Sequence, residues 1–159
     1  MPTVQINHRV HHITQRDENY CWACALAMLK GRHSWSDALD LADRVPATAR
    51  SPEDGSLLRP DLAAAAVGLR ARPIKPLRPD LILEELRRGP IALFGWYQLT
   101  RRFKHVMVIS LMQGDPAVPA QLQVGVDDPW ANGSRWIGPW PAFYGSGRNL
   151  VDPHWLVSR

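Results

Sequence analysis

Cys21 and Cys24, the two cysteines of the chain, stand three residues apart in QRDENYCWACALAMLKG (residues 15–31), where a polar stretch gives way to an apolar run. That run predicts a helix with Cys21 in its first turn. Unpaired amide groups at a helix start carry partial positive charge, which favours a thiolate over a thiol. A thiolate becomes catalytic when a histidine holds the proton and later delivers it to a leaving group. His105 is the best candidate, because it begins the apolar run HVMVISLM rather than sitting in a polar loop. An imidazole so used needs a third group to fix its tautomer and orientation. VGVDDPW offers Asp127 and Asp128 at the end of the next apolar run, close to His105 if the two runs pair as a hairpin. Acyl chemistry also needs donors for an oxyanion. Gln15, six residues before Cys21, supplies a side-chain amide, and the backbone N–H of Cys21 supplies the other.

Other uses of the two sulfurs fit less well. With His8, His11 and His12 nearby, a Cys₂His₂ zinc site is conceivable. The H-x-x-H-H spacing, however, is not the usual separation of zinc-binding histidines. A thioredoxin-like redox pair would call for a preceding βαβ pattern, which is absent. Cys24 reads as a small buried hydrophobe. The expected chemistry therefore uses one sulfur and requires neither metal nor cofactor. His33 and His154 have no partners that spacing identifies.

The elements that must position these groups fall into two halves. CWACALAMLK closes at Gly31, SWSDALDLADRV starts from a cap at Ser34 or Ser36, and RPDLAAAAVGL carries Pro60 near its first turn. RPDLILEELRRG begins at Pro79 and is ended by Gly89, making a fourth helix. After it the pattern shortens to strand-like runs: PIALFGW, HVMVISLM and QLQVGV, then the weaker SRWIGPW and HWLVS. Helices followed by antiparallel strands predict an α+β fold in one domain spanning residues 1–159, with a cleft between its two parts.

Composition narrows the class further. At 159 residues and 45% hydrophobic, the chain can bury a sizeable core. Its net charge of +4 comes mostly from scattered arginines. The densest basic pairs, Arg87-Arg88 and Arg101-Arg102, are too short for a nucleic-acid footprint. No run has the length of a membrane span, and MPTVQINHRVHH lacks the apolar core of a signal peptide. Two cysteines make no disulfide framework, which suits a reducing compartment such as the cytoplasm.

Gln15, five intervening residues, then Cys21-Trp22-Ala23 resembles the oxyanion glutamine and nucleophile segment of papain-like cysteine peptidases. The chain order Gln, Cys, His, Asp is theirs too. ELRRGPIALFGW, HVMVIS and VGVDDPW are similar to the compact bacterial branch, which includes double-glycine peptidases and effector proteases. The resemblance runs from Gln15 to Trp130. It implies a papain-like fold, a nucleophile helix packed on an antiparallel sheet, and a triad of Cys21, His105 and Asp128 with Gln15 as oxyanion donor. Proline restricts the residue before it to extended conformations, which would hold the Asp128 carboxylate in a fixed direction. Asp127 would then face the opposite side of the strand. Trp130 stands where a tryptophan shields the histidine pair in papain. The approach to the nucleophile, Arg16 to Tyr20, and an acid in place of papain's asparagine are departures from that pattern.

The resemblance implies hydrolysis of peptide bonds in a protein or peptide substrate through an acyl-enzyme. Tyr20, Trp22 and Trp130 are expected to wall a narrow channel that admits small residues such as Gly-Gly. The same triad serves acyl transfer of the transglutaminase kind, and a non-catalytic peptide-binding domain is the non-enzymatic alternative. A compact peptidase without a signal peptide fits a cytoplasmic enzyme. It fits equally a toxin or effector delivered into a target cell, whose producer would need a proteinaceous inhibitor covering the cleft.

Overall fold

The computed structural model describes residues 3–74, 77–97, 103–130, 135–143 and 150–159. Arg101 and Arg102 lie outside them. The fold is α+β, with five helices and a seven-stranded antiparallel sheet among the described residues.

The four helices expected from the sequence form. They are α1 (Cys21–Leu29), α2 (Trp35–Ala42), α3 (Pro60–Ala66) and α4 (Pro79–Leu86). All nine residues of α1 are buried, so it shows no polar face. Its end is a Schellman motif: Gly31 takes φ +70°, its N–H reaches the Met28 carbonyl, and the Arg32 N–H reaches that of Ala27. Ser34 rather than Ser36 caps α2, in a reciprocal box with Asp37. Pro60 and Pro79 open α3 and α4, where a missing N–H costs nothing.

The strands are β1 (Val4–Asn7), β2 (Arg70–Pro73), β3 (Ile91–Tyr97), β4 (Phe103–Gly114), β5 (Gln123–Asp127), β6 (Trp136–Pro139) and β7 (Leu150–Ser158). They run in the order β2-β7-β3-β4-β5-β6. β1 pairs with Leu111–Gly114 of β4, just beyond the Phe103–Ile109 stretch that β3 occupies. β4 begins at Phe103, so His105 is its third residue rather than its first. SRWIGPW does not stay extended to its end: α5 (Trp140–Phe143) starts at Trp140.

Both faces of the central strands are covered. Ala92 and Phe94 of β3, Val106 and Val108 of β4 and Val157 of β7 pack with α1, α2 and α3. Ile91, Leu93, Met107, Ile109 and Leu156, the alternate residues of the same strands, pack with α4, Trp140 and Phe143. Two-sided burial explains why IALF and VMVI read as unbroken apolar runs. It also seats α1 against β3 and β4 and brings Cys21 to the strand that carries His105. Among the described residues no helix is long and apolar enough to cross a membrane.

Candidate active site

The nucleophile candidate is the first residue of α1, where backbone N–H groups lack partners inside the helix. The approach to it is a tight polar turn. Asp17 Oδ1 accepts the Asn19 N–H at 3.0 Å, and the Tyr20 N–H donates to the Asp17 carbonyl at 3.2 Å. Gln15 organises that turn. Its Nε2 donates to the carbonyls of Asp17 and Glu18, both at 3.1 Å, and its backbone N–H donates to the Pro129 carbonyl at 2.9 Å. Among the described residues, buried Gln15 Oε1 has no hydrogen-bond partner.

His105 lies in the middle of the sheet, opposite Gly95 of β3, and is 7% exposed. Its Nε2 is 2.7 Å from Asp128 Oδ1, and the Cys21 side chain is close enough to act on its protonation. Burial by itself would depress the imidazole's affinity for a proton. The bond to Asp128, the nearby Cys21 and the charges of both groups outweigh it and raise the pKa to about 9. Asp128 is held by its own turn, since the Trp130 backbone N–H donates to Oδ1 at 2.9 Å across Pro129. Cys21, His105 and Asp128, distant in sequence, thus form one chain of contacts.

The two aspartates separate as strand alternation requires. Asp127, 1% exposed, accepts the Ser110 hydroxyl at 2.8 Å and faces His12 Nδ1 at 3.4 Å and Arg135 Nε at 3.5 Å. Arg135 continues from there to Asn7 Oδ1 and the His8 carbonyl. Asp127 therefore ties the N-terminal segment to the sheet, while Asp128 serves His105.

Cys24, one turn along α1, is fully buried. Burial, then the neighbouring Cys21 charge, pushes its pKa up to about 12, against a weaker opposing backbone hydrogen bond. Among the described residues no three His, Cys, Asp or Glu side chains converge as metal ligands.

A cavity of about 250 Å³ opens beside Cys21 and His105. Of the three aromatics expected to wall the site, Trp22 lines this cavity, whereas Tyr20 and Trp130 do not. Tyr20 stacks on Trp22 behind it, with ring centroids 5.9 Å apart, and Trp130 is 52% exposed. Apolar walls come from Leu57, Leu58 and Pro60 before and within α3, Phe94 of β3 and Trp155 of β7, and Glu18 adds a charged group. Nothing local in the sequence joins these residues, because the cavity is assembled from separate segments. No known family model matches the chain, and no curated protein matches it.

Proposed function

We propose that the chain is a papain-like cysteine peptidase of the compact bacterial kind, with its nucleophile helix on one face of the sheet, its histidine on β4 and its acid in the turn just past β5. The observation that carries this reading is the relay from Cys21, at the first position of α1, through His105 to Asp128.

The chemistry follows from that relay. His105, with Nε2 engaged by Asp128, already holds the Cys21 proton on Nδ1 and leaves the sulfur as a thiolate. The sulfur attacks the substrate carbonyl carbon, and the electron pair moves to the carbonyl oxygen. The oxyanion is met by the Cys21 backbone N–H and by the Gln15 amide, which exchanges one loop carbonyl for it. Collapse expels the amine, which takes the proton from Nδ1 and leaves a thioester on Cys21. Water then attacks the thioester, giving its proton to His105. The carboxylic acid departs and the sulfur recovers its starting state. Delivery into another cell as an effector, with an inhibitor protein covering the cavity in the producer, belongs to the same proposal. Genes adjacent to this one would encode that inhibitor.

The test is a comparison of newly formed N-termini in a proteome treated with the wild-type chain or with Cys21→Ala. New termini are expected with the wild type alone. Their absence in a folded wild type, or their persistence in Cys21→Ala, would remove the reading.

A further inference from the structure

The cavity beside Cys21 is too roomy to be a channel for glycine alone. Its volume of about 250 Å³ falls somewhat below the roughly 300–1,000 Å³ that enclose a drug-sized ligand, which suits one large side chain. Leu57, Pro60, Phe94 and Trp155 give it apolar walls, and Leu58, 48% exposed, stands at the lip.

Its charge is equally particular. Besides the triad members, Glu18 is the one ionisable residue in the lining. Gln15 Nε2 holds the Glu18 carbonyl, so the backbone there is fixed while the carboxylate stays exposed. Among the described residues that carboxylate has no hydrogen-bond or ion-pair partner. Two cations beside the lining residues Trp22 and Pro60 are engaged elsewhere. The Arg50 guanidinium lies against the rings of Tyr20 and Trp22, and Arg59 makes a two-pronged bond to Asp61. His105 is matched by Asp128.

We infer that this cavity takes an arginine or lysine side chain of the peptide, its aliphatic stem along the apolar walls and its charged head at Glu18. Only long basic side chains combine such a stem with such a head. The assignment rests on the peptidase reading for its setting, and it replaces the small-residue expectation drawn from the sequence. Glu18 is then the residue that determines specificity.

The experiment uses peptides identical but for one position, scanned along the substrate, carrying Arg, Lys, norleucine or Glu. With wild type in low salt, kcat/KM should favour Arg and Lys over norleucine at one position by about five- to tenfold, the range between an exposed ion pair and a charge-assisted hydrogen bond. The preference, taken as the ratio of Arg to norleucine cleavage within each enzyme, should shrink in high salt, vanish in Glu18→Gln and turn toward Glu in Glu18→Arg. Equal cleavage of norleucine and Arg peptides by wild type, or an unchanged preference in Glu18→Gln, would overturn the assignment. Binding of the same peptides to Cys21→Ala, read by fluorescence anisotropy, separates the two claims. No cleavage together with Glu18-dependent binding of Arg peptides removes the peptidase reading and keeps the cation site. Binding indifferent to Glu18 removes the site.

Discussion

The backbone N–H of Gln15 donates to the Pro129 carbonyl at 2.9 Å, so the turn that leads to Cys21 and the turn that holds Asp128 are one hydrogen bond apart. Three groups that share a reaction must share a rigid frame, because small displacements cost large factors in rate. Here β4 supplies His105 to that frame. The Gln15–Pro129 bond joins the other two members, and the His12–Asp127 contact braces the same segment one turn earlier.

Cys24 is expected to be chemically silent. A buried thiol whose pKa is pushed up to about 12 stays protonated across the working range. Iodoacetamide should label Cys21 in the native chain and leave Cys24 unlabelled, as peptide mass spectrometry would show. Cys24→Ser should keep activity per folded molecule and lose about 1–3 kcal/mol of stability for an unsatisfied buried hydroxyl. Loss of turnover in a folded Cys24→Ser variant would contradict the single-nucleophile chemistry.

Asp128 and Asp127 should fail in different ways. Asp128→Ala frees the imidazole, so kcat per folded molecule drops strongly, and the stability tied to the His105 proton is lost with it. Asp127→Ala strips a buried carboxylate from Ser110, His12 and Arg135, and should cost about 3–5 kcal/mol. Its kcat per folded molecule should stay near wild type. A large loss of kcat in folded Asp127→Ala, with mild loss in Asp128→Ala, would exchange the roles.

The pH dependence follows from His105. Its pKa rises in the fold from an ordinary 6.5 to about 9, so the folded chain holds this proton more tightly than the unfolded chain does. The corresponding stability is complete below pH 6.5 and is lost as pH climbs through 9. If the protonated imidazole is the working acid, kcat/KM should fall on an alkaline limb near pH 9. Asp128→Ala removes the largest of the raising causes, so both limbs should move to lower pH. An alkaline limb that stays in place in Asp128→Ala would assign it to another group.

Gln15 has two duties that alanine removes together. Its amide orders the Asp17–Glu18 turn, and in the proposed reaction it also meets the oxyanion. Gln15→Ala should slow alkylation of Cys21 a little, through a looser turn. It should lower kcat by about 10²–10³ through the missing donor. Equal losses in both measurements would leave the amide with the turn alone.

The legible parts of this fold are those whose signals are local. Pro60, Pro79, Ser34 and Gly31 mark helix ends by their own backbone chemistry, and apolar runs of strand length mark β3 to β5. β1 and β2 carry no such signal, because VQIN and RARP are four-residue edges whose extended form depends on partners Leu111–Gly114 and Trp155–Ser158. The site divides the same way. Cys21, His105 and the Asp127-Asp128 pair could be named from residue type and element ends. That Gln15 Nε2 faces two loop carbonyls, that Trp130 offers its backbone N–H to Asp128 and that Trp155 joins the cavity depend on tertiary placement.

Arg50 offers the last prediction, because it holds the cavity wall to the start of α1. Its Nη2 donates to the Tyr20 hydroxyl at 2.6 Å, and its guanidinium sits 5.4 Å and 5.5 Å from the ring centroids of Tyr20 and Trp22. Trp22 Nε1 in turn donates to the Gly55 carbonyl at 3.3 Å. The loop from Ser51 to Ser56 is closed by the Ser51 N–H on the Ser56 carbonyl and by the Arg50–Leu57 bridge, so it moves as a unit with Leu57 and Leu58. Gly55 takes φ +75°, and a Cβ there would stand 3.3 Å from Arg50 Nη2 and 3.5 Å from the Tyr20 ring. A lysine at position 50 keeps the charge but loses the planar face and the fork. Arg50→Ala and Arg50→Lys should therefore both raise KM, by displacing Leu57 and Leu58, while kcat changes less, because the Arg50 contacts run to Tyr20 and Trp22. Each should also lose about 1–3 kcal/mol of stability from the cation–π contacts and the Tyr20 bond. Gly55→Ala, strained at positive φ and crowded against Arg50, should shift KM the same way. Steady-state kinetics on the three variants settle the matter. A fall in kcat with KM unchanged would mean that Arg50 acts on the nucleophile itself and not on the wall beside it.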